Sequence, residues 1–234
     1  MSVVVLGSKS GSPLPEGQPD FVYSANAAVI RTQVYRDQTE ASITAFVATG
    51  AMLGGHVVAG LRAVQPETIV VVGGEQDGRN LKDGRVPSVD HACTWQHMNS
   101  TDRYELAKRY LGHRLAPLGF RRLTRHYLGP PHKGVRDIPS DIYRAIRHPR
   151  EAAKPSTGIV ALIRALLDHP EADVIVSGIG LGGGGHFHPD DGIYGYGHSA
   201  IDVPLIRALP ETMRVRLTTV DADMSAVGGI KLAS

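Results

Sequence analysis

The sequence predicts an α/β protein with a mainly parallel sheet and helices on both of its faces. Short runs rich in apolar and β-branched residues have the length and composition of buried strands. Two segments between these runs, MLGGHVVAGLRAVQ and TGIVALIRALLDHP, repeat apolar residues at helical spacing. Near-continuous apolar strands that alternate with helices are typical of a parallel sheet buried on both faces.

Each predicted element has its own signature. In chain order, the strand candidates are SVVVLG (2–7), DFVYSAN (20–26), SITAFVATG (42–50), ETIVVVGG (67–74), ADVIVSGIG (172–180) and RVRLTTVD (214–221). The first ends in the glycine–serine turn GSKSGSP, the fourth ends in two glycines, and the last alternates as a half-exposed strand does. The helix in TGIVALIRALLDHP has Ser156 or Thr157 as its N-cap and His-Pro as its stop.

The middle of the chain, about 80 to 150, differs from the rest in composition. It is rich in Arg, His, Tyr and Pro, has the pattern of helices and loops, and lacks a strong strand signal before GFRRLTR. We therefore expect this segment to be a helical insert or lid that supplies an acceptor pocket.

Composition argues against several classes of protein. A chain of 234 residues suits one large domain. The net charge of +2 and the lack of a dense Lys/Arg run argue against a nucleic-acid partner. The single cysteine, Cys93, excludes an internal disulfide and a cysteine-based zinc ribbon, and it fits a reducing compartment. Because MSVVVLG lacks a signal-peptide pattern and no window resembles a membrane span, we expect a cytoplasmic protein.

Ligands of open α/β sheets bind at the carboxyl ends of the strands. The turns after Leu6, Ser24, Val72 and Val176 are therefore the expected binding positions. The last of these turns leads into SGIGLGGGGHFHPDDGIYGYGHSAID, residues 177–202, where a glycine run precedes three histidines.

Segment 177–202 allows four interpretations. It could be a flexible linker, whereas a dinucleotide or P-loop site is disfavoured because the glycine spacing is wrong. HFHPDD favours zinc, since His186, His188 and Asp190 resemble the H-x-H-x-D-H signature of metallo-β-lactamase-like hydrolases, although Asp191 stands where that signature has its last histidine. YGYGHS favours a general base, since His198 follows a glycine that permits close approach of a substrate.

Three blocks of the chain together resemble the sialyltransferases. KPSTGIVALIRALLDHPEADVIVSGIG is similar to the second sialyl motif of the animal enzymes, with Pro-Ser-Thr-Gly, an apolar helix, an acidic residue and a strand that ends in a glycine turn. YGYGHSAID resembles the Tyr-x-Gly-His-Ser segment of the single-domain bacterial enzymes. VVVLGSKSGSPL and DFVYSANAA resemble their N-terminal glycine loop and the Asn turn after the second strand.

The resemblance implies one glycosyltransferase domain over residues 1–234, with a Rossmann-like sheet of the sialyltransferase-like GT-A variant and residues 80–150 as an acceptor-side lid. It implies transfer of a 2-keto acid sugar, of the sialic acid or Kdo type, from a CMP-linked donor to a hydroxyl of a glycan or glycolipid acceptor. The displacement would invert the anomeric centre, with His198 as general base and with no metal or cofactor besides the CMP-sugar.

The resemblance also implies which residues bind the donor. Gly7 and Ser8 would face the nucleotide, Asn26 its ribose or phosphate, and Thr157 and Gly158 would begin a helix whose N–H groups hold the donor carboxylate. The complete predicted set is Gly7, Ser8, Lys9, Asn26, Ser156, Thr157, Gly158, His188, Tyr194 and Tyr196.

The chain departs from the family pattern at the leaving phosphate, where the bacterial enzymes place two tyrosines. Here His188 would replace one tyrosine as a hydrogen-bond donor, and Tyr194 and Tyr196 would supply the rest. Lys9 stands near a family asparagine, and its ammonium would pair with phosphate.

Two functions of other classes stay open. A zinc hydrolase would use His186, His188, Asp190 and His198 and would depend on bound metal. A catalytically inactive nucleotide-binding or polysaccharide-assembly module on the same fold would not depend on His198. Whether the chain forms a homo-oligomer is also left open.

Overall fold

Eight strands of the chain pair into one sheet. The computed structural model describes residues 1–49, 55–84, 89, 91–119, 150, 153–181 and 198–233. The strands are β1 Ser2–Leu6, β2 Phe21–Ala25, β3 Ser42–Ala48, β4 Thr68–Val72, β5 Thr94–Met98, β6 Asp173–Ser177, β7 Leu217–Thr219 and β8 Lys231–Leu232. Their order is β5-β4-β3-β2-β1-β6-β7-β8, and every neighbouring pair is parallel.

Helices connect these strands. The α-helices with both ends among the described residues are α1 Gln33–Gln38, α2 Gly55–Val64, α3 Glu75–Lys82, α4 Ser100–Leu111, α5 Thr157–Asp168, α6 Ser199–Arg207, α7 Glu211–Arg214 and α8 Ala222–Gly228. Two 3-10 helices, Asn26–Thr32 and Gly112–Arg114, precede α1 and follow α4. Within the described parts of the chain, no helix is both long and apolar enough to cross a membrane.

The sheet separates two hydrophobic cores, as strand β1 illustrates. Val3 and Val5 join the core that contains α5 and α6, whereas Val4 and Leu6 join the core that contains α2 and the first 3-10 helix. Alternate residues of a strand point to opposite faces, so a strand that is apolar throughout needs cover on both. The Rossmann-like α/β class with helices on both faces is thereby confirmed.

The direction in which strands are added reverses beside β1. The chain first adds β2, β3, β4 and β5 on one side of β1, and after α5 it returns to pair β6 with the other side. Such a reversal opens a crevice at the carboxyl ends of the two strands, where ligands of open α/β sheets bind. The turns after Leu6 and Val176, two of the four predicted positions, flank this crevice.

Each predicted strand run contains a strand of the sheet, and both predicted helices are present. The expectation that residues 80–150 hold no strong strand before GFRRLTR is wrong, because β5 lies there. This strand pairs on one side only, and Thr94 and Gln96 are exposed, so its sequence TWQHM lacks an apolar run. GFRRLTR itself lies outside the described residues after Gly119.

Candidate functional site

The loops after β1 and β6 cross in direct backbone contact. The N–H of Gly7 donates to the carbonyl of Ser177 at 2.7 Å, and the N–H of Lys9 donates to the carbonyl of Gly178 at 2.8 Å. A methyl group added at Gly7 would lie 2.2 Å from the carbonyl oxygen of Gly178, so only glycine fits. Gly178 also has a φ of +76°, which favours glycine on conformational grounds. This glycine crossing, Gly7 with Gly178, lies at the carboxyl ends of β1 and β6, where the strand reversal places the crevice.

The loop from Gly7 to Pro15 is held in place from outside. Three side chains donate to its carbonyl oxygens: Ser177 Oγ to Pro13 at 2.5 Å, Arg31 Nη2 to Ser12 at 2.5 Å, and Tyr35 Oη to Pro15 at 2.6 Å. Burial raises the pKa of Tyr35 to about 12, so its hydroxyl stays protonated and can donate at neutral pH. The glycine–serine turn is therefore a pre-formed loop.

Asp221 fixes the other side of the crossing. It follows β7, is 6% exposed, and accepts the N–H of Gly178 at Oδ2 over 2.5 Å. Burial lowers the pKa of Arg31, while Tyr35 and then Asp221 oppose that shift electrostatically. A carboxylate and a guanidinium thus lie beside the glycine crossing.

Lys9 is engaged within the protein. Its Nζ lies 2.7 Å from Asp223 Oδ2, and the Asp223 side chain is 67% exposed. The hydrogen bond from Lys9 lowers the pKa of Asp223. An anionic ligand would therefore compete with an exposed carboxylate for the Lys9 ammonium.

The N-terminus of α5 meets the loop after β6. Ser156 caps the helix, since its Oγ accepts the N–H of Ile159 at 3.3 Å, which confirms one of the two predicted caps. A methyl group added at Gly158 would lie 3.3 Å from the Ile179 side chain, so the first turn packs tightly on that loop. The N–H groups of Thr157 and Gly158 have no acceptor within the described part of the chain. These two N–H groups can therefore donate to a ligand at the N-terminus of α5, where the helix dipole is positive.

His198 lies at the N-terminus of α6, which is joined to the start of α5. His198 is the N-cap residue, and its carbonyl accepts the N–H of Asp202 at 2.9 Å. The Oδ1 of Asp202 accepts the N–H of Ser156 at 3.0 Å. The histidine predicted to be a base and the helix terminus predicted to bind an anion are therefore linked through Asp202, by its backbone N–H on one side and its carboxylate on the other.

Asn26 has a structural task at the end of β2. Its φ is +52°, and its Oδ1 accepts the N–H of Ala48 at 2.8 Å, which ties the carboxyl ends of β2 and β3 together. Because Oδ1 is engaged by Ala48, the Nδ2 group is the better placed of the two to contact a ligand. A binding role for Asn26 would therefore be that of a donor.

The predicted residues separate into two groups. Gly7, Ser8, Lys9, Ser156, Thr157, Gly158 and His198 lie on elements that converge at the β1–β6 crevice, and Asn26 lies one strand further along. His186, His188, Asp190, Tyr194 and Tyr196 lie outside the described residues. Across the described ranges, no three His, Cys, Asp or Glu side chains are grouped as a metal would require.

A large cavity lies apart from this crevice. It has a volume of about 1020 Å³ and lies between α4 and α5 over strands β2 to β5. Tyr23 lines it, and the Tyr23 hydroxyl lies 3.0 Å from Asp168 Oδ2 and 3.1 Å from His169 Nε2. Burial and then Asp168 raise the pKa of Tyr23. We place the site at the crevice rather than here, because the crevice has the strand reversal, the glycine crossing and two helix N-termini.

Sequence reasoning missed three residues of the crevice: Arg31, Asp202 and Asp221. Asp221 follows the carboxyl end of a strand, which was an available signal, but β7 has only three residues and a weak pattern. Asp202 stands four residues after His198, the spacing of neighbours on one helix face. Arg31 contacts a loop 19 residues earlier, and no local pattern reveals such a contact.

Comparison of the chain with protein-family models, with curated proteins and with solved structures finds no match. The family resemblance therefore rests on the three sequence blocks alone.

Proposed function

We propose that the protein transfers a 2-keto acid sugar, of the sialic acid or Kdo type, from a CMP-activated donor to a hydroxyl group of a glycan or glycolipid. The observation that carries this proposal is the convergence at one crevice of the glycine loop after β1, the start of α5 and the start of α6. Each of these elements contains part of one of the three sequence blocks that resemble sialyltransferases. The β1 loop is about 150 residues or more from the other two elements in sequence, so their meeting at one strand reversal supports a shared task.

Each element has a part in holding the donor. The backbone of Gly7 and Ser8 allows the nucleotide to approach closely, and the Nδ2 group of Asn26 donates to its ribose or phosphate. The N–H groups of Thr157 and Gly158 bind the donor carboxylate, because helix N-termini favour anions. Ser156 contributes by capping the helix, since its own N–H is already bonded to Asp202.

Transfer is a single displacement at the anomeric carbon. His198 takes the proton of the acceptor hydroxyl while that oxygen forms a bond to the anomeric carbon. The bond from that carbon to the phosphate oxygen breaks, and CMP leaves with the electron pair, so the anomeric configuration inverts. The Lys9 ammonium leaves Asp223 and pairs with the phosphate, whose charge it stabilises. In this proposal His188, Tyr194 and Tyr196 bind the same phosphate.

Ligand-induced stabilisation tests the proposal. The purified chain is unfolded thermally with CMP, UMP or NAD, each with and without EDTA. CMP at about a hundred times its dissociation constant stabilises by roughly 2.7 kcal/mol, and EDTA makes no difference. Loss of stability with EDTA and no effect of CMP would overturn the proposal in favour of the zinc hydrolase. Stabilisation by NAD alone would overturn it as well.

A further inference from the structure

The strongest unassigned feature of the crevice is the buried carboxylate of Asp202. Asp202 is 1% exposed and lies in the first turn of α6, four residues after His198. Burial of a carboxylate costs free energy unless hydrogen bonds compensate for the lost water. The hydrogen-bond partners of Asp202 therefore indicate what its carboxylate does. One partner outside its own helix is the backbone N–H of Ser156, which lies 3.0 Å from Oδ1.

We infer that Asp202 is a positioning residue that sets the distance between the catalytic base and the donor. This inference rests on the proposed transfer reaction. Asp202 bonds through its side chain to the residue that caps α5 and through its own N–H to the carbonyl of His198. One side chain therefore fixes the base-bearing turn of α6 against the turn of α5 that holds the donor carboxylate.

The surroundings of Ser156 make this link specific. The Ser156 Oγ accepts from Ile159 within α5, so the Ser156 N–H is left for a partner from another element. The buried Arg103 of α4 donates to the carbonyl of the preceding residue, Pro155. The peptide that begins α5 is therefore held by α4 on one side and by α6 on the other. A carboxylate at this position also complements the positive end of the α5 dipole.

Reaction rate depends steeply on such positioning. A displacement of about 1 Å between reacting groups can lower the rate about 100-fold without weakening binding. Loss of the Asp202 link frees the first turn of α6 to shift relative to α5, whereas the nucleotide contacts of the β1 loop stay intact. The expected signature is a fall in kcat with little change in the affinity for CMP.

Two substitutions at Asp202 separate the acceptor atom from the shape of the side chain. Asp202→Asn keeps an oxygen that can accept the Ser156 N–H, and Asp202→Leu keeps the number and branching of the side-chain heavy atoms but has no acceptor. We expect Asp202→Leu to lower kcat by about 100-fold. Asp202→Asn should retain kcat within about tenfold, and both variants should bind CMP within about threefold of the wild type.

A second pair covers the case in which Asp202→Leu does not fold. Ser156 has a φ of −66°, which proline adopts. Ser156→Pro therefore removes the N–H that donates to Asp202 and leaves Asp202 itself unchanged. Ser156→Ala is the reference, because it loses the hydroxyl cap but keeps the N–H. The kcat of Ser156→Pro should fall about 100-fold below that of Ser156→Ala.

The outcomes distinguish this inference from the proposed function. If the wild type transfers sugar and Asp202→Leu has the kcat of the wild type, the positioning role is overturned and the proposed function is not. The same holds if Ser156→Pro has the kcat of Ser156→Ala. An equal, roughly 100-fold loss in Asp202→Asn and Asp202→Leu also overturns it, because the charge and not the hydrogen bond would then be required. No transfer by the wild type overturns the function, and the positioning role with it.

Discussion

Gly7 and Gly178 cross so closely that each excludes a side chain on the other. A methyl group at Gly178 would lie 2.4 Å from the carbonyl oxygen of Gly7, and the reverse distance is 2.2 Å. The two residues begin the loops that follow β1 and β6, the strands at which the sheet reverses its order. The close crossing brings the backbone of both loops together at the carboxyl ends of β1 and β6.

Gly178→Ala should destabilise the fold strongly. The new Cβ meets backbone rather than a movable side chain, and the φ of +76° adds strain. We expect a loss of about 2–4 kcal/mol in the free energy of unfolding, measured by urea denaturation. Gly180→Ala, two residues along the same loop, is the control, because no atom lies within 4 Å of its added Cβ. Equal stability of the two variants would contradict the crossing.

The central strands were predictable from sequence because burial on both faces demands apolar residues throughout. β1, β2 and β4 are strands of this kind. The buried helix α5 was predictable as well, because its apolar residues recur at helical spacing and its cap and stop are local signals. The edge strand β5 was not predictable in this way, because Thr94 and Gln96 face solvent and give no apolar run.

Asp221→Ala should destabilise the protein by leaving the buried N–H of Gly178 without its acceptor. The expected loss is about 1–3 kcal/mol by urea denaturation at neutral pH. Asp173→Ala removes an exposed carboxylate at the start of β6 and should change stability by no more than about 0.5 kcal/mol. A loss in Asp173→Ala as large as that in Asp221→Ala would show that the carboxylate–amide bond is not the cause.

Asp223→Ala should tighten the binding of CMP. The substitution releases the Lys9 ammonium from its partner at 2.7 Å, so the phosphate no longer competes with a carboxylate. Isothermal titration at low salt should give a dissociation constant about threefold lower than that of the wild type. The gain should disappear in the double variant Lys9→Ala/Asp223→Ala. If it persists there, Lys9 does not contact the phosphate.

His169 should make stability depend on pH near neutrality. Burial lowers its pKa in the folded state, although Asp168 opposes the shift. A group with a depressed folded pKa contributes stability that is present above its unfolded pKa, about 6.5, and is lost as pH falls through the folded value. Thermal unfolding between about pH 7.5 and 5.5 should therefore show a decline that is smaller in His169→Gln.

The exposed His113 supplies the control for this experiment. His113→Gln should keep the full decline of the wild type. If His169→Gln declines as steeply as His113→Gln, His169 is not the group responsible.

The site was predictable in part. The β1 loop and the start of α5 could be predicted from their turn and cap residues, because these residues act on the neighbouring backbone. Arg31, Asp202 and Asp221 act across the fold on Ser12, Ser156 and Gly178, and such contacts depend on which elements become neighbours. The sequence gives no measure of that proximity, so residues that position a site are harder to predict than residues that begin its loops.

The most direct test of the account is release of CMP from defined donors. CMP-sialic acid and CMP-Kdo are each incubated with the protein, EDTA and a panel of glycan and glycolipid acceptors, and free CMP is followed by phosphorus NMR. We expect one donor to release CMP only when acceptor is present. The rate of release should fall by at least about 100-fold in folded His198→Ala, whereas His113→Gln should match the wild type. Release from neither donor, or a rate unchanged in His198→Ala, would contradict the proposed transferase.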